Sequence, residues 1–287
     1  MTKEDYSLVR QAFLKDKVNA GLRKNPRSYC QELQRMTPSG FLKPGSKVTA
    51  FSRYHLGGIQ YHVCNNDYTC SNVIARRSDH NSKFLFVDAP FVGLMLTAEE
   101  EFEMQNQVAK LGLAQPIEKM YIPQKGNKLA FALMEDIEMP LRYYLQEPKS
   151  KAALKDVVTL ILSLLKALYT NNIVHGMFTV YNLSLVWDEN EEKAKLQLND
   201  FGRTTKKDEV FMHKFKELDI VTFIMSLEKE EIIHIDNRKY LSRSLKKFFK
   251  QFFNSRVKIF ELYVEYVDTF RPVPFTNFGI YYLAYGI

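Results

Sequence analysis

Residues 173–202 read IVHGMFTVYNLSLVWDENEEKAKLQLNDFG. Two short β-like runs, NLSLVW and KLQLND, flank the acidic turn DENEE, so this stretch predicts a small hairpin. Ahead of it stands His175-Gly176-Met177, with Asn182 seven residues after the histidine. Behind it stands Asp200-Phe201-Gly202.

Working outward, the segment before the hairpin predicts a helix. Leu154, Val157, Val158, Ile161, Leu164, Leu165 and Leu168 recur at i, i+3, i+4 and i+7, and Leu160 and Leu162 add further apolar surface. A helix that apolar belongs in the middle of its lobe. After the hairpin, residues 215–227 and a basic, aromatic stretch over 238–267 continue the helical pattern.

Residues 46–137 have a different texture. KVTAFSRYHL, IQYHVC, SNVIAR, KFLFVDA, IEKMYI and LAFALME are short runs rich in β-branched and aromatic residues, with turn residues between them. They predict an antiparallel sheet. One helix interrupts it: Thr97 and Glu100 have capping-box spacing, and Gly112 stands where a helix end favours a residue tolerant of positive φ. Residues 1–45 are polar and basic, with Tyr6, Val9, Phe13 and Leu22 in loose helical spacing and a second helical piece around 28–36. They form an N-terminal extension. The order of sheet with one helix, link, buried helix, hairpin and helices is an α+β arrangement in two lobes, over 46–137 and 138–287.

Composition bounds the function. The 287 residues are 46% hydrophobic and 25% charged, ordinary for a folded chain, and the net charge of +7 favours acidic partners without requiring them. Three cysteines, Cys30, Cys64 and Cys70, show no CxxC or Cys/His spacing, which predicts a reducing compartment and no zinc. The N-terminus has charges scattered through it and no continuous apolar core, so neither a signal peptide nor a membrane span is expected. Cytoplasm or nucleus is the expected location.

The 173–202 constellation resembles the protein-kinase superfamily, and its His-Gly opening and the leucine-rich run after Asn182 are similar to the casein-kinase-one and vaccinia-related-kinase branch, which includes viral members. The likeness extends to FALMEDIEMPLRYYL as a hinge, to ELDIVTFIMSL as a buried helix anchored by Asp219, and to FELYVEYVDTFRPVPFTNFGIYYLAYG as closing helices. It covers residues 46–287 and implies a bilobal kinase-like fold. In that family phosphoryl transfer needs divalent cations, a lysine on the α/β-phosphates and a carboxylate accepting the nucleophile's proton.

Against that pattern the chain keeps some parts and lacks others. Asn182 and Asp200 match the metal-binding pair, with candidate roles in holding ATP with Mg or Mn, or simply as buried hydrogen-bonding residues. The base position is Met177, a thioether that accepts no proton at neutral pH. Thr179 replaces the loop lysine. For the strand lysine two alignments compete: KFLFVDAP puts Phe86 there, and VIARR puts Arg76 there, which keeps the charge with a different reach. Its helix partner is Glu99, Glu100 or Glu101. HLGGIQYHV keeps Gly57 and Gly58 without the flanking glycines that let backbone amides approach phosphate. Only sixteen residues separate Gly202 from Asp219, and no Ala-Pro-Glu-like element lies between them.

The resemblance therefore implies a pseudokinase that requires no cofactor and serves as a scaffold or regulator through protein partners. Two alternatives stand beside it. One is an unconventional active Ser/Thr phosphotransferase that keeps the Asn182 and Asp200 metal pair. The other is a nucleic-acid-binding or otherwise acidic-partner module, using Arg243, Lys246, Lys247 and Lys250. The plain reading of those four cations is the wet face of a helix whose apolar side is Leu241, Leu245, Phe248 and Phe252.

Overall fold

The computed structural model describes residues 1–22, 33–53, 59–64, 70–77, 96–123, 129–135, 139–202, 204–206 and 216–248. Five strands, β1 (Lys47–Arg53), β2 (Ile59–Cys64), β3 (Cys70–Arg77), β4 (Lys119–Tyr121) and β5 (Leu129–Glu135), form one antiparallel sheet in the order β1-β2-β3-β5-β4. Five of the six β-like runs of the sequence fall on these strands, the sixth, KFLFVDA, lying outside the described residues, and alternation sorts their faces. Val48, Tyr61, Val63, Val73, Phe131 and Leu133 are buried on one face, while Ala130 and Ala132 lie on the other.

Each face is covered by a different part of the chain. The helix α2 (Ala98–Ala109), set between β3 and β4, lays Ala98 and Phe102 on Ala130 and Ala132. Its start is the predicted capping box: the Thr97 hydroxyl accepts from the Glu100 amide at 3.2 Å, and the Glu100 carboxylate accepts from the Thr97 amide at 2.8 Å. Gly112, just past its end, has φ +74°, a conformation that costs other residues strain. On the opposite face Leu33, in a helical turn at 33–36, and Phe41 complete the core, and Lys119 Nζ donates to the Gly40 carbonyl at 3.0 Å.

The second lobe is built on α4 (Lys151–Thr170), capped by the Ser150 hydroxyl accepting from the Ala153 amide at 3.2 Å. All seven apolar positions of its predicted stripe are buried. Against it pack α5 (Lys216–Lys229) and α6 (Ile235–Phe248), while α3 (Leu141–Tyr144) lies against the hairpin strand that follows. Two small antiparallel ladders join them: β6 (Met139–Pro140), β8 (Leu183–Asp188) and β9 (Lys193–Leu198), and the pair β7 (Ile173–Val174) with β10 (Thr205–Lys206). The lobes are also tied behind the hairpin, where Leu198 donates to the Leu113 carbonyl at 2.9 Å. Among the described residues, no helix is long and apolar enough to cross a membrane.

The N-terminal extension is part of both cores. Its helix α1 (Lys3–Leu22) packs against β1 and β9. Tyr6 is buried, with its ring 6.0 Å from that of Trp187 and its hydroxyl 3.4 Å from the Leu185 carbonyl. Phe13 meets Tyr143 edge-on at 5.0 Å, and the Tyr143 hydroxyl donates to Asp16 at 2.6 Å. Burial and the Asp16 carboxylate push the Tyr143 phenol up to about 12. Tyr6→Ala is expected to lower stability by about 3 kcal/mol by emptying this seat. Because Trp187 is the single tryptophan, a red shift of its emission on the same substitution reports the loosening of α1 directly.

Candidate active site

The loop after β7 is held from below by one buried carboxylate. Asp219, in the first turns of α5 and fully buried, accepts from the His175 amide at 2.8 Å and from the Gly176 amide at 2.9 Å. Gly176 has φ +73°, so glycine suits the bend that points both amides at one side chain. Burial pushes the Asp219 carboxyl up to about 7, against the two amide hydrogen bonds that favour its charge. Further along α5, Thr222 donates to the Phe178 carbonyl at 3.3 Å and the Ser226 hydroxyl accepts from the Val180 amide at 3.0 Å.

His175 links this loop to the segment after the hairpin. Its Nε2 lies 3.1 Å from the Asn199 carbonyl, which assigns the proton to that nitrogen, and its ring meets Phe201 edge-on at 5.3 Å. Burial pushes the ring down to about 4, so it is neutral at physiological pH despite the pull of Asp200 and the Asn199 carbonyl. A neutral, fully buried imidazole between a carbonyl and two phenylalanines is a structural part.

Asn182 and Asp200 are brought together across the hairpin. Asn182 closes a 3-10 turn (Val180–Asn182), and its Nδ2 donates to the Met177 carbonyl at 3.0 Å, which leaves Oδ1 as its remaining acceptor face. Its own carbonyl accepts from the Asn199 amide at 2.9 Å, one residue before Asp200. Asp200 has φ +64°, a left-handed conformation that short polar residues tolerate best and that occurs mostly where surrounding structure imposes it. Phe201 is fully buried, and the Gly202 carbonyl accepts from the Leu96 amide at 2.6 Å, joining this segment to the entry of α2.

Met177 and Thr179 lie in the same frame. Met177 is half-buried at the centre of the loop, with its carbonyl fixed by Asn182. Thr179 is buried and precedes the 3-10 turn without a side-chain cap. Of the three glutamates opening α2, Glu99 is exposed, Glu100 is used in the capping box and Glu101 is buried. Among the described residues no cluster of three or more His, Cys, Asp and Glu could hold a metal.

The strand between β2 and β5 is Cys70–Arg77, which holds VIARR, while KFLFVDAP lies outside the described residues. Arg76 registers with Ala130, which packs beneath α2. Phe86 lies outside the described residues, as do Gly57, Gly58 and Lys250. On α6, Arg243 and Lys247 are exposed, and Lys246 is bound to Glu228 at 2.5 Å. Sequence reading missed the hydroxyls that wire the loop, Thr222, Ser226 and Thr204, because isolated Ser and Thr on or beside a helix carry no local signal.

The described residues hold a five-stranded sheet with one helix between its third and fourth strands, and a helical lobe whose loop is pinned by a buried aspartate in front of Asp-Phe-Gly. The fold is bilobal and α+β, in the order of elements expected of a kinase-like chain. No family model matches the chain, and no curated protein matches it. Among solved structures it is similar to WaaP in complex with acyl carrier protein, at 11% identity and a TM-score of 0.43, covering 77% of this chain and 88% of that one.

Proposed function

We propose that this chain is a pseudokinase, a kinase-like protein without phosphotransfer activity that works by binding a protein partner. The observation that carries the reading is Met177. The loop around it is fully wired, through Asp219 below, Asn182 in front and Ser226 behind, yet the position of the proton acceptor holds a thioether. A loop preserved in its hydrogen bonding and stripped of its base supports a retained shape and a lost chemistry. Thr179 in place of the loop lysine acts in the same direction, because no cation from that position meets a γ-phosphate.

The Asn182 Oδ1 and the Asp200 carboxylate are hard oxygen donors of the kind that, with phosphate oxygens, suit magnesium or manganese. They are the residues that would hold a metal–ATP complex, and holding it requires no base. Lys239, Arg243 and Lys247, exposed and four residues apart along α6, favour an acidic surface on the partner.

The test is a turnover assay on the pure chain with ATP and either cation, run beside thermal unfolding with the same additions. The expected result is no phosphate release and no self-phosphorylation, whether or not nucleotide raises the unfolding temperature by mass action. Self-phosphorylation that disappears in Asp200→Ala overturns the reading and leaves an active enzyme that finds its base elsewhere.

A further inference from the structure

The first sheet sets two of the chain's three cysteines opposite one another. β2 and β3 pair antiparallel from Ile59↔Ala75 to Cys64↔Cys70, and the cysteines are the last pair of that register. Directly paired residues on adjacent antiparallel strands share a face of the sheet. Their Cα atoms lie about 4.5 or 5.5 Å apart according to ladder position, and both separations fall within the roughly 4.4–6.8 Å that a disulfide requires.

The register is not free to slip. Tyr61, Val63 and Val73 are buried on the opposite face, under Leu33 and Phe41, and a one-residue shift of either strand would carry its share of this apolar set to the other face, away from that core. The core that fixes those three residues therefore also fixes Cys64 against Cys70.

We propose that Cys64 and Cys70 are an oxidisable pair that forms a reversible cross-strand disulfide by exchange with a low-molecular-weight disulfide such as oxidised glutathione. One cysteine thiolate attacks a glutathione sulfur and expels the first glutathione thiolate, giving a mixed disulfide. The second cysteine thiolate attacks the protein sulfur of that intermediate and expels the second glutathione thiolate. Two protein sulfurs are oxidised, one glutathione disulfide is reduced to two thiols, and the protons from the two cysteines end on the expelled thiolates or in water. The bond closes residues 64–70 into a ring beside β3, and it depends on nothing in the kinase-like reading.

The sequence makes the test clean. Cleavage after Arg53 and Arg76 releases residues 54–76 as one peptide holding both cysteines, while Cys30 falls in another. The full-length chain is equilibrated folded with oxidised and reduced glutathione, quenched by acid and alkylated. The expected result is a 54–76 peptide lighter by two hydrogens, free thiols reduced from three to one, and a thermal midpoint raised by roughly 5 °C relative to the reduced chain. Cys64→Ser and Cys70→Ser should each keep both remaining thiols free and show no such rise. The same exchange in denaturant should need a glutathione ratio at least ten times more oxidising. Three free thiols after equilibration, a bridge to Cys30, or equal oxidation in folded and denatured chain would each overturn the proposal.

Discussion

Replacing Asp219 by alanine is expected to lower stability by about 4 kcal/mol and the thermal midpoint by roughly 10 °C. The reason is what the carboxylate leaves behind. Its two oxygens accept the amides of His175 and Gly176, both buried, and each orphaned donor costs on the order of 2 kcal/mol in a site without water. Part of this is offset, because the substitution also removes a carboxyl whose burial opposes its charge. Asp219→Asn isolates the balance. The amide keeps one acceptor and turns an N–H₂ group toward the other backbone donor, so about half the loss is expected. Amide hydrogen exchange at His175 and Gly176 supplies the site-specific check. A variant that unfolds within 1 kcal/mol of the parent with both amides still protected would show that α5 does not hold the loop.

Much of this site is legible in the sequence because its parts are local. The interval from His175 to Asn182, the hairpin, the Asp-Phe-Gly and the apolar stripe of α4 are each read from spacings of a few residues, and the structure places all of them as the spacings require. Asp219 is legible only through the resemblance, as the acid expected to anchor the helix ELDIVTFIMSL; nothing in the local pattern says that it is buried or which amides it accepts.

What failed to read are the pairings over distance. SNVIAR has the same β-like texture as its neighbours, and its place between β2 and β5 comes only from the sheet order. Lys246 looks like its neighbours until the fold brings Glu228 to it. Glu100 is set apart by its capping-box spacing, but Glu99 and Glu101 are indistinguishable until α2 is docked and only Glu101 is buried. The extension misled in the same way, since Tyr6, Val9 and Phe13 announce a helix and say nothing about the seat between Trp187 and Tyr143.

The second large effect is one that the intact protein should conceal. His175 titrates at about 4 in the fold against 6.5 for a free imidazole, and Asp219 at about 7 against 3.8 for a free carboxyl. A depressed histidine contributes stability that is present above its unfolded value and lost as pH falls through 6.5 toward 4. A raised carboxyl acts the other way, contributing stability at low pH that is lost as pH rises from 3.8 through 7. Between about 4 and 6.5 the folded chain therefore carries one proton on Asp219 and the unfolded chain carries one on His175. The two states bind equal numbers, so this pair gives no slope of stability with pH. His175→Phe removes one side of that equality and leaves the buried ring volume near the original. The variant is expected to gain stability relative to the parent on acidification, by about 1.4 kcal/mol per pH unit over this window. Urea unfolding of both chains at pH 5 and pH 6.5 measures it, because the difference between their slopes cancels every other titrating group. Parallel slopes would mean that His175 is already neutral in the unfolded chain or charged in the folded one, and the second of these would place a cation beside Phe201 in what is otherwise an apolar joint.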